Sequence, residues 1–134
     1  MTSSYAFARR VAASSAVAML LLISACGGAK SPYTFSTITK EIATDGHAVI
    51  DVRIVYEPSG EPVANAVIFE TRFDMSPESM ASMTAPVEPQ GSPEPGVYRF
   101  MVTPNMAGRW ALTLKAKVQG VDETVTGTIV VTAR

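Results

Sequence analysis

Polar and apolar residues alternate along most of the chain with a period of two. Over 48–56, Ala48, Ile50, Val52, Ile54 and Tyr56 share one parity, and Val49, Asp51, Arg53 and Val55 take the other. Over 109–118 the alternation is nearly strict: Trp110, Leu112, Leu114, Ala116 and Val118 face one way, Arg109, Thr113, Lys115 and Lys117 the other. Side chains on a strand point to opposite faces in turn, so this pattern predicts strands packed on one side and wetted on the other. Residues 97–103 repeat it with Tyr98, Phe100 and Val102 inward, and 124–132 with Val125, Ile129 and Val131 inward. A strand at 63–73 and a weaker one at 33–39 complete the set.

Turn chemistry separates these runs. Glu57-Pro58-Ser59-Gly60-Glu61-Pro62, Pro104-Asn105-Met106-Ala107-Gly108 and Gln119-Gly120-Val121-Asp122 each carry the Gly, Pro, Asn or Asp that reverses a chain. No segment after residue 33 has the 3.6-residue period of an amphipathic helix. Six to seven short strands at this spacing predict an all-β domain over 34–134, an antiparallel β-sandwich of Ig-like outline.

One stretch breaks the rhythm. Residues 74–96 carry Pro77, Pro86, Pro89, Pro93 and Pro95 and show no strand pattern. They read as a long loop, and such loops inside compact domains are usually functional or disordered.

The N-terminal end follows a different logic. Residues 1–10 are polar and close on Arg9 and Arg10, and an apolar run follows to Ile23, broken only by Ser14 and Ser15. That run is too short for a spanning helix, which needs about 20 residues. It has the layout of a secretory signal peptide. Ile23-Ser24-Ala25-Cys26 resembles the bacterial lipobox, in which small residues admit the peptidase and the Cys thiol carries the lipid. This implies a signal peptide over 1–25, a lipidated N-terminus and short tether over 26–33, and an extracytoplasmic domain. Lipid on Cys26 would anchor it to a bacterial membrane, on the periplasmic side or at the cell surface. The Arg9-Arg10 pair also invites a twin-arginine reading, but its neighbours fit ordinary secretion better.

Composition narrows the chemistry. The chain of 134 residues has one Cys, one His and one Trp, with 17% charged residues and a formal net charge of −1. A single Cys excludes an internal disulfide framework and a Cys-rich zinc site. The charge balance argues against nucleic acid, which calls for a basic face. His47, beside Asp45-Gly46, reads as a solvated turn residue. Asp122-Glu123 reads as a hairpin turn, and neither a Gly-x-Ser-x-Gly elbow nor a phosphate-binding glycine loop occurs. Composition and motifs therefore point away from an enzyme.

Methionine is the surplus residue, 7 in all. Met1 and Met19 belong to the leader and Met101 to a predicted strand, while Met75, Met80, Met83 and Met106 fall in the loop and the turn before Arg109. A thioether is a soft, neutral ligand suited to Cu(I), and it stays unprotonated across pH. It is also a flexible core filler, and spacing alone leaves both readings open. Geometry permits convergence, because a 74–96 segment spans up to about 75 Å when extended, against about 20 Å for a strand. The chain can therefore cross the sandwich and bring Met106 over the loop methionines, with His47 or Asp74 nearby.

Several motifs suggest a family. The run Gly60-Glu61-Pro62-Val63-Ala64-Asn65-Ala66-Val67, then Phe73-Asp74-Met75 with Met80 and Met83, resembles the YtkA-like/FixH-like bacterial extracytoplasmic domains. Pro95-Gly96-Val97-Tyr98-Arg99-Phe100 and Met106-Ala107-Gly108-Arg109-Trp110-Ala111-Leu112 extend the resemblance over roughly 45–133. It implies a small β-sandwich serving metal efflux or haem–copper oxidase assembly, with Met75, Met80, Met83 and Met106 as ligand candidates. The loop lacks the dense Met-Gly-Met or His-Met runs of the family's stronger copper binders. The alternative expectation is a metal-free module that docks a membrane protein complex through its Met/Pro-rich loop.

Overall fold

A computed structural model describes residues 30–134. The expected signal peptide and the lipidation residue Cys26 lie outside the described residues, as does the start of the tether. Among the described residues no helix is long and apolar enough to cross a membrane.

The six expected strands are all present. They are β1 (Tyr33–Thr37), β3 (Ala48–Tyr56), β5 (Ala66–Met75), β8 (Val97–Val102), β9 (Gly108–Val118) and β10 (Val125–Ala133). Four short strands join them: β2 (Glu41–Ile42), β4 (Glu61–Pro62), β6 (Met80–Ala85) and β7 (Val87–Pro89). One sheet runs β1-β3-β8-β7, with β4 also on β3, and the other runs β2-β10-β9-β5-β6. The pairings are antiparallel except for β2, which lies parallel to β10 at the sheet edge. The result is an Ig-like β-sandwich.

The inward parity read from the sequence is the core. Ile50, Val52 and Ile54 of β3, Phe100 and Val102 of β8, and Trp110, Leu112, Leu114 and Ala116 of β9 are all buried. Each large side chain taken fully from water contributes about 1.5–3 kcal/mol. Phe73 stacks on Trp110 at 4.8 Å between ring centroids. Tyr98 reaches across the sandwich to donate its hydroxyl to the Val63 carbonyl at 2.7 Å and accept the Ala66 N–H at 3.0 Å. Tyr56, expected inward, sits at the rim and is more than a third exposed. There it packs on Tyr33, 5.2 Å between centroids.

The 74–96 segment is not the strandless loop expected. It holds a single 3₁₀ turn (Ser76–Glu78), then β6 and β7. Hydrophobic periodicity misses β6 because it is an edge strand exposed along all but Ala85. It pairs with β5 through only Phe73–Ala85, Asp74–Thr84 and Met75–Met80, with a bulge between. Strand β7 is three residues ending in Pro89, which a strand tolerates only at an edge. The segment does cross the molecule end to end, as its length allows. It leaves β5 beside Gly108 and reaches the Glu94–Val97 bridge at the far end of β8.

The two ends of the sandwich therefore differ. One carries Tyr33, where the described chain enters the fold, with Tyr56, Val121 and Val125 lining a common cleft. The other carries Met75, Met80 and the 103–108 turn. The eleven residues of β9 separate them, about 35 Å at the usual strand rise.

Candidate functional site

The methionine-bearing end is built on β5 and β9. Their antiparallel register sets Asp74 opposite Ala111, which brings the top of β5 to the first residues of β9. A tight 3₁₀ turn then returns the chain as β6, placing Met80 directly across from Met75. Ser79 closes that turn in the left-handed region, φ 61°, donating its N–H to the Ser76 carbonyl at 2.9 Å.

Two carboxylates hold this turn. Asp74 is buried, and its carboxylate accepts the Ser76 N–H at 2.9 Å and the Arg72 guanidinium. Burial pushes its pKa up, but the Ser76 and Arg72 hydrogen bonds outweigh that and leave it below the usual carboxylate value. Glu78 accepts both the backbone N–H and the Nε–H of Arg109, at 3.1 and 2.9 Å. Arg109 also donates to the Pro77 carbonyl at 3.0 Å. The Arg109 hydrogen bonds lower the Glu78 pKa, and Glu78 in turn raises that of Arg109. Arg72 spends a further N–H on the Ala81 carbonyl at 2.6 Å, pinning the start of β6. Sequence reasoning missed these clamps. The Asp-x-Ser pattern at 74–76, a frequent side-chain turn, was the one local signal available.

The four candidate methionines separate into two kinds. Met75 is 1% exposed and belongs to the core. Its Cε lies against Gly108, where a Cβ would stand 2.6 Å away. Met80, Met83 and Met106 are 38%, 36% and 39% exposed. Met106 is tied to the core through its carbonyl, which accepts the Trp110 indole N–H at 3.1 Å. The fold thus sets Met75, Met80 and Met106 at one end, with Met83 farther along β6. His47 reaches this end from the other sheet, its Nδ1 2.9 Å from the Thr103 hydroxyl in the turn that leads to Met106. Asp74 is nearby but committed to Arg72 and Ser76.

The donor set is soft. Among the described residues no group of three or more His, Cys, Asp or Glu side chains is placed to hold a metal ion. Asp74 and Glu78 are already paired with arginine. Beside the His47 ring, the donors left at this end are thioether sulfurs, which suit a soft monovalent cation better than Zn²⁺ or Ca²⁺.

The model of the YtkA-like family matches residues 29–115. None of the curated proteins matches the chain. Two solved structures are similar at 15% identity. The Lin-41 filamin domain has a TM-score of 0.49, over 77% of this chain and 92% of that one. The ZirS C-terminal domain has a TM-score of 0.46, over 100% of this chain and 87% of that one.

Proposed function

Starting from the premise that the chain belongs to the YtkA-like family, we propose that it is a lipid-anchored extracytoplasmic accessory module that captures Cu(I) as cargo through methionine thioethers. The observation that carries this reading is that Met80 and Met106 stand exposed at the same end of the sandwich, where Met75 is buried. Exposed thioethers there offer soft donors that need no thiol and that do not themselves take up protons. Cys26 carries the lipid in this account, so it takes no part in metal binding.

The layout supports a delivery role. Tyr33 enters the fold at the opposite end, so a tether over 26–33 presents the methionines away from the membrane by about the length of β9, roughly 35 Å. The cargo then passes to an efflux or oxidase-assembly partner. No catalytic step is assigned: among the described residues the acidic groups with clearly shifted pKa values, Asp51, Asp74 and Glu78, are held by arginines in structural pairs.

One observation favours a second reading, a metal-free module that docks a membrane protein complex. Met75 is sealed in the core, while Met80, Met83 and Met106 form exposed apolar surface, of the kind that binds partners. Titration with Cu(I), or with redox-inert Ag(I), separates the two. The protein is the full chain carrying Cys26→Ser in detergent, and the reporter is the fluorescence of Trp110. Saturable quenching that Met80→Leu and Met106→Leu weaken supports cargo binding; no response, or one indifferent to them, supports docking.

A further inference from the structure

The outer face of the β1-β3-β8-β7 sheet carries donors that the thioether reading does not use. Register sets Glu88 of β7 directly opposite Met101 of β8, and Met101 in turn opposite Val49 of β3. Opposite residues on antiparallel strands share a face. That face is the outer one: Val102, the next residue, is fully buried, while Val49 and Glu88 are exposed. Continuing the β3–β8 pairing by one place brings His47 against Thr103, and the 2.9 Å contact between His47 Nδ1 and the Thr103 hydroxyl agrees with it. His47 has the parity of Val49, so it stands on the same face, one pair nearer the turn that holds Met106.

Three adjacent strands thus bring an imidazole, a thioether and a carboxylate to one patch of surface. Glu88 and Met101 are direct neighbours, about 4.5–5.5 Å apart at Cβ, and His47 lies diagonal to Met101, about 7–8 Å away and within reach of a ring and a long side chain. The Thr103 contact holds the His47 ring on the β8 side. With Nδ1–H donated to the Thr103 oxygen, Nε2 is left as a ligand atom, the way metal-bound histidines are usually held. Glu88 takes part in no ion pair among the described residues. Arg99, one pair farther from the turn on the same face, is neutralised by Asp51 through two hydrogen bonds of 2.8 Å.

We propose that His47, Met101 and Glu88 form a binding site for Cu²⁺, separate from the thioethers of Met80 and Met106. Imidazole is a favoured ligand of copper, the carboxylate brings negative charge, and the thioether takes a weak, soft position. Copper also leads the divalent first-row metals in affinity for such donors. Thr103 is a positioning residue, fixing the ring through Nδ1. Because His47 and Glu88 both stand exposed, water fills the remaining coordination positions. The inference goes beyond the cargo reading: it needs neither Met80 nor Met106, and either reading can fail alone.

The test titrates Cu²⁺ into the full chain carrying Cys26→Ser, in detergent and without a histidine tag. Pulsed EPR reads the remote nitrogen of a bound imidazole, which His47 alone can supply. The protein with one equivalent of Cu²⁺ is expected to show that nitrogen. Glu88→Gln and Met101→Leu should each keep it but weaken binding about tenfold or more, and Thr103→Val should do the same. Met80→Leu with Met106→Leu should leave Cu²⁺ affinity unchanged. Thermal melting of each variant separates lost binding from lost folding. Absence of the imidazole nitrogen overturns the proposal. So does imidazole coordination whose affinity neither Glu88→Gln nor Met101→Leu changes, the behaviour of a lone surface histidine. A Cu²⁺ affinity that falls with Met80→Leu and Met106→Leu overturns the separation of the two sites.

Discussion

The Cε of Met75 rests against the backbone of Gly108, so close that a Cβ there would lie 2.6 Å from it. This contact joins the end of β5 to the start of β9 and fixes where the methionine-bearing turn sits. Gly108 also has φ 138°, a conformation that side chains rarely adopt. Gly108→Ala should therefore destabilise the domain by about 1–3 kcal/mol. The check is chemical denaturation beside Met75→Ala with Gly108→Ala, which removes the clash, keeps the backbone strain and leaves a cavity. The double variant is expected to lose less than the sum of the two single ones.

Glu78 and Arg109 clamp the 3₁₀ turn from which β6 departs. Glu78→Gln should leave global stability nearly unchanged, since the pair lies at the surface, partly open to water and screened. It should raise amide hydrogen exchange in 76–83 relative to the rest of the sheet. Exchange unchanged in that segment would show that Asp74 alone holds the turn.

Acid should act through the same groups. Asp51, Asp74 and Glu78 all have pKa values lowered in the fold. A lowered folded-state pKa adds stability above the unfolded-state value, and that stability is lost as pH falls through the folded-state value. The melting temperature is expected to stay level from neutral pH to about 5 and to drop below about 4. Asp51→Asn, which removes the paired carboxylate beside Arg99, should make that drop shallower.

Strand β1 is held by a notch. A Cβ on Gly127 would lie 2.1 Å from the Phe35 ring, so the ring of β1 lies directly on the backbone of β10. Gly127→Ala should expel Phe35 and loosen β1, the strand that follows the tether, at a cost of about 2–3 kcal/mol. Phe35→Ala should cost about 2–3 kcal/mol, because Phe35 is only partly buried. Combining the two should add little to either, read by thermal melting and by proteolysis near residue 38.

The four methionines should respond differently to replacement. Met75→Leu is a near-isosteric core swap costing under about 1.5 kcal/mol. Met80→Leu, Met83→Leu and Met106→Leu touch exposed side chains and should leave the melting temperature within a degree or two of the parent. Under the cargo reading, Met80→Leu and Met106→Leu nevertheless reduce Ag(I) affinity, a loss separable from folding. Equal effects of all four on affinity would place Met75 in the coordination sphere despite its burial.

Much of this was legible in the chain. Alternation marked β3, β8, β9 and β10, because each has one buried and one wetter face, and their inward residues form most of the observed core. The short strands were not legible. In β6 both faces of the strand are exposed, so no parity of hydrophobic residues can arise. In β7 three residues and a proline give no pattern at all. The methionine cluster was readable as composition but not as geometry. What brings Met75, Met80 and Met106 together is the β5–β9 register and the clamp of Asp74 and Glu78, and pairing between distant strands leaves no mark on local sequence. The split between buried Met75 and exposed Met80, Met83 and Met106 is likewise a property of the sheet edge.

The central claim, that thioethers capture Cu(I), is tested most directly by copper X-ray absorption on the full chain carrying Cys26→Ser, loaded with Cu(I). With its only thiol gone, the account predicts a first shell of sulfur, reduced by Met80→Leu with Met106→Leu. A first shell of nitrogen and oxygen, or one of sulfur that this double variant leaves intact, would contradict it.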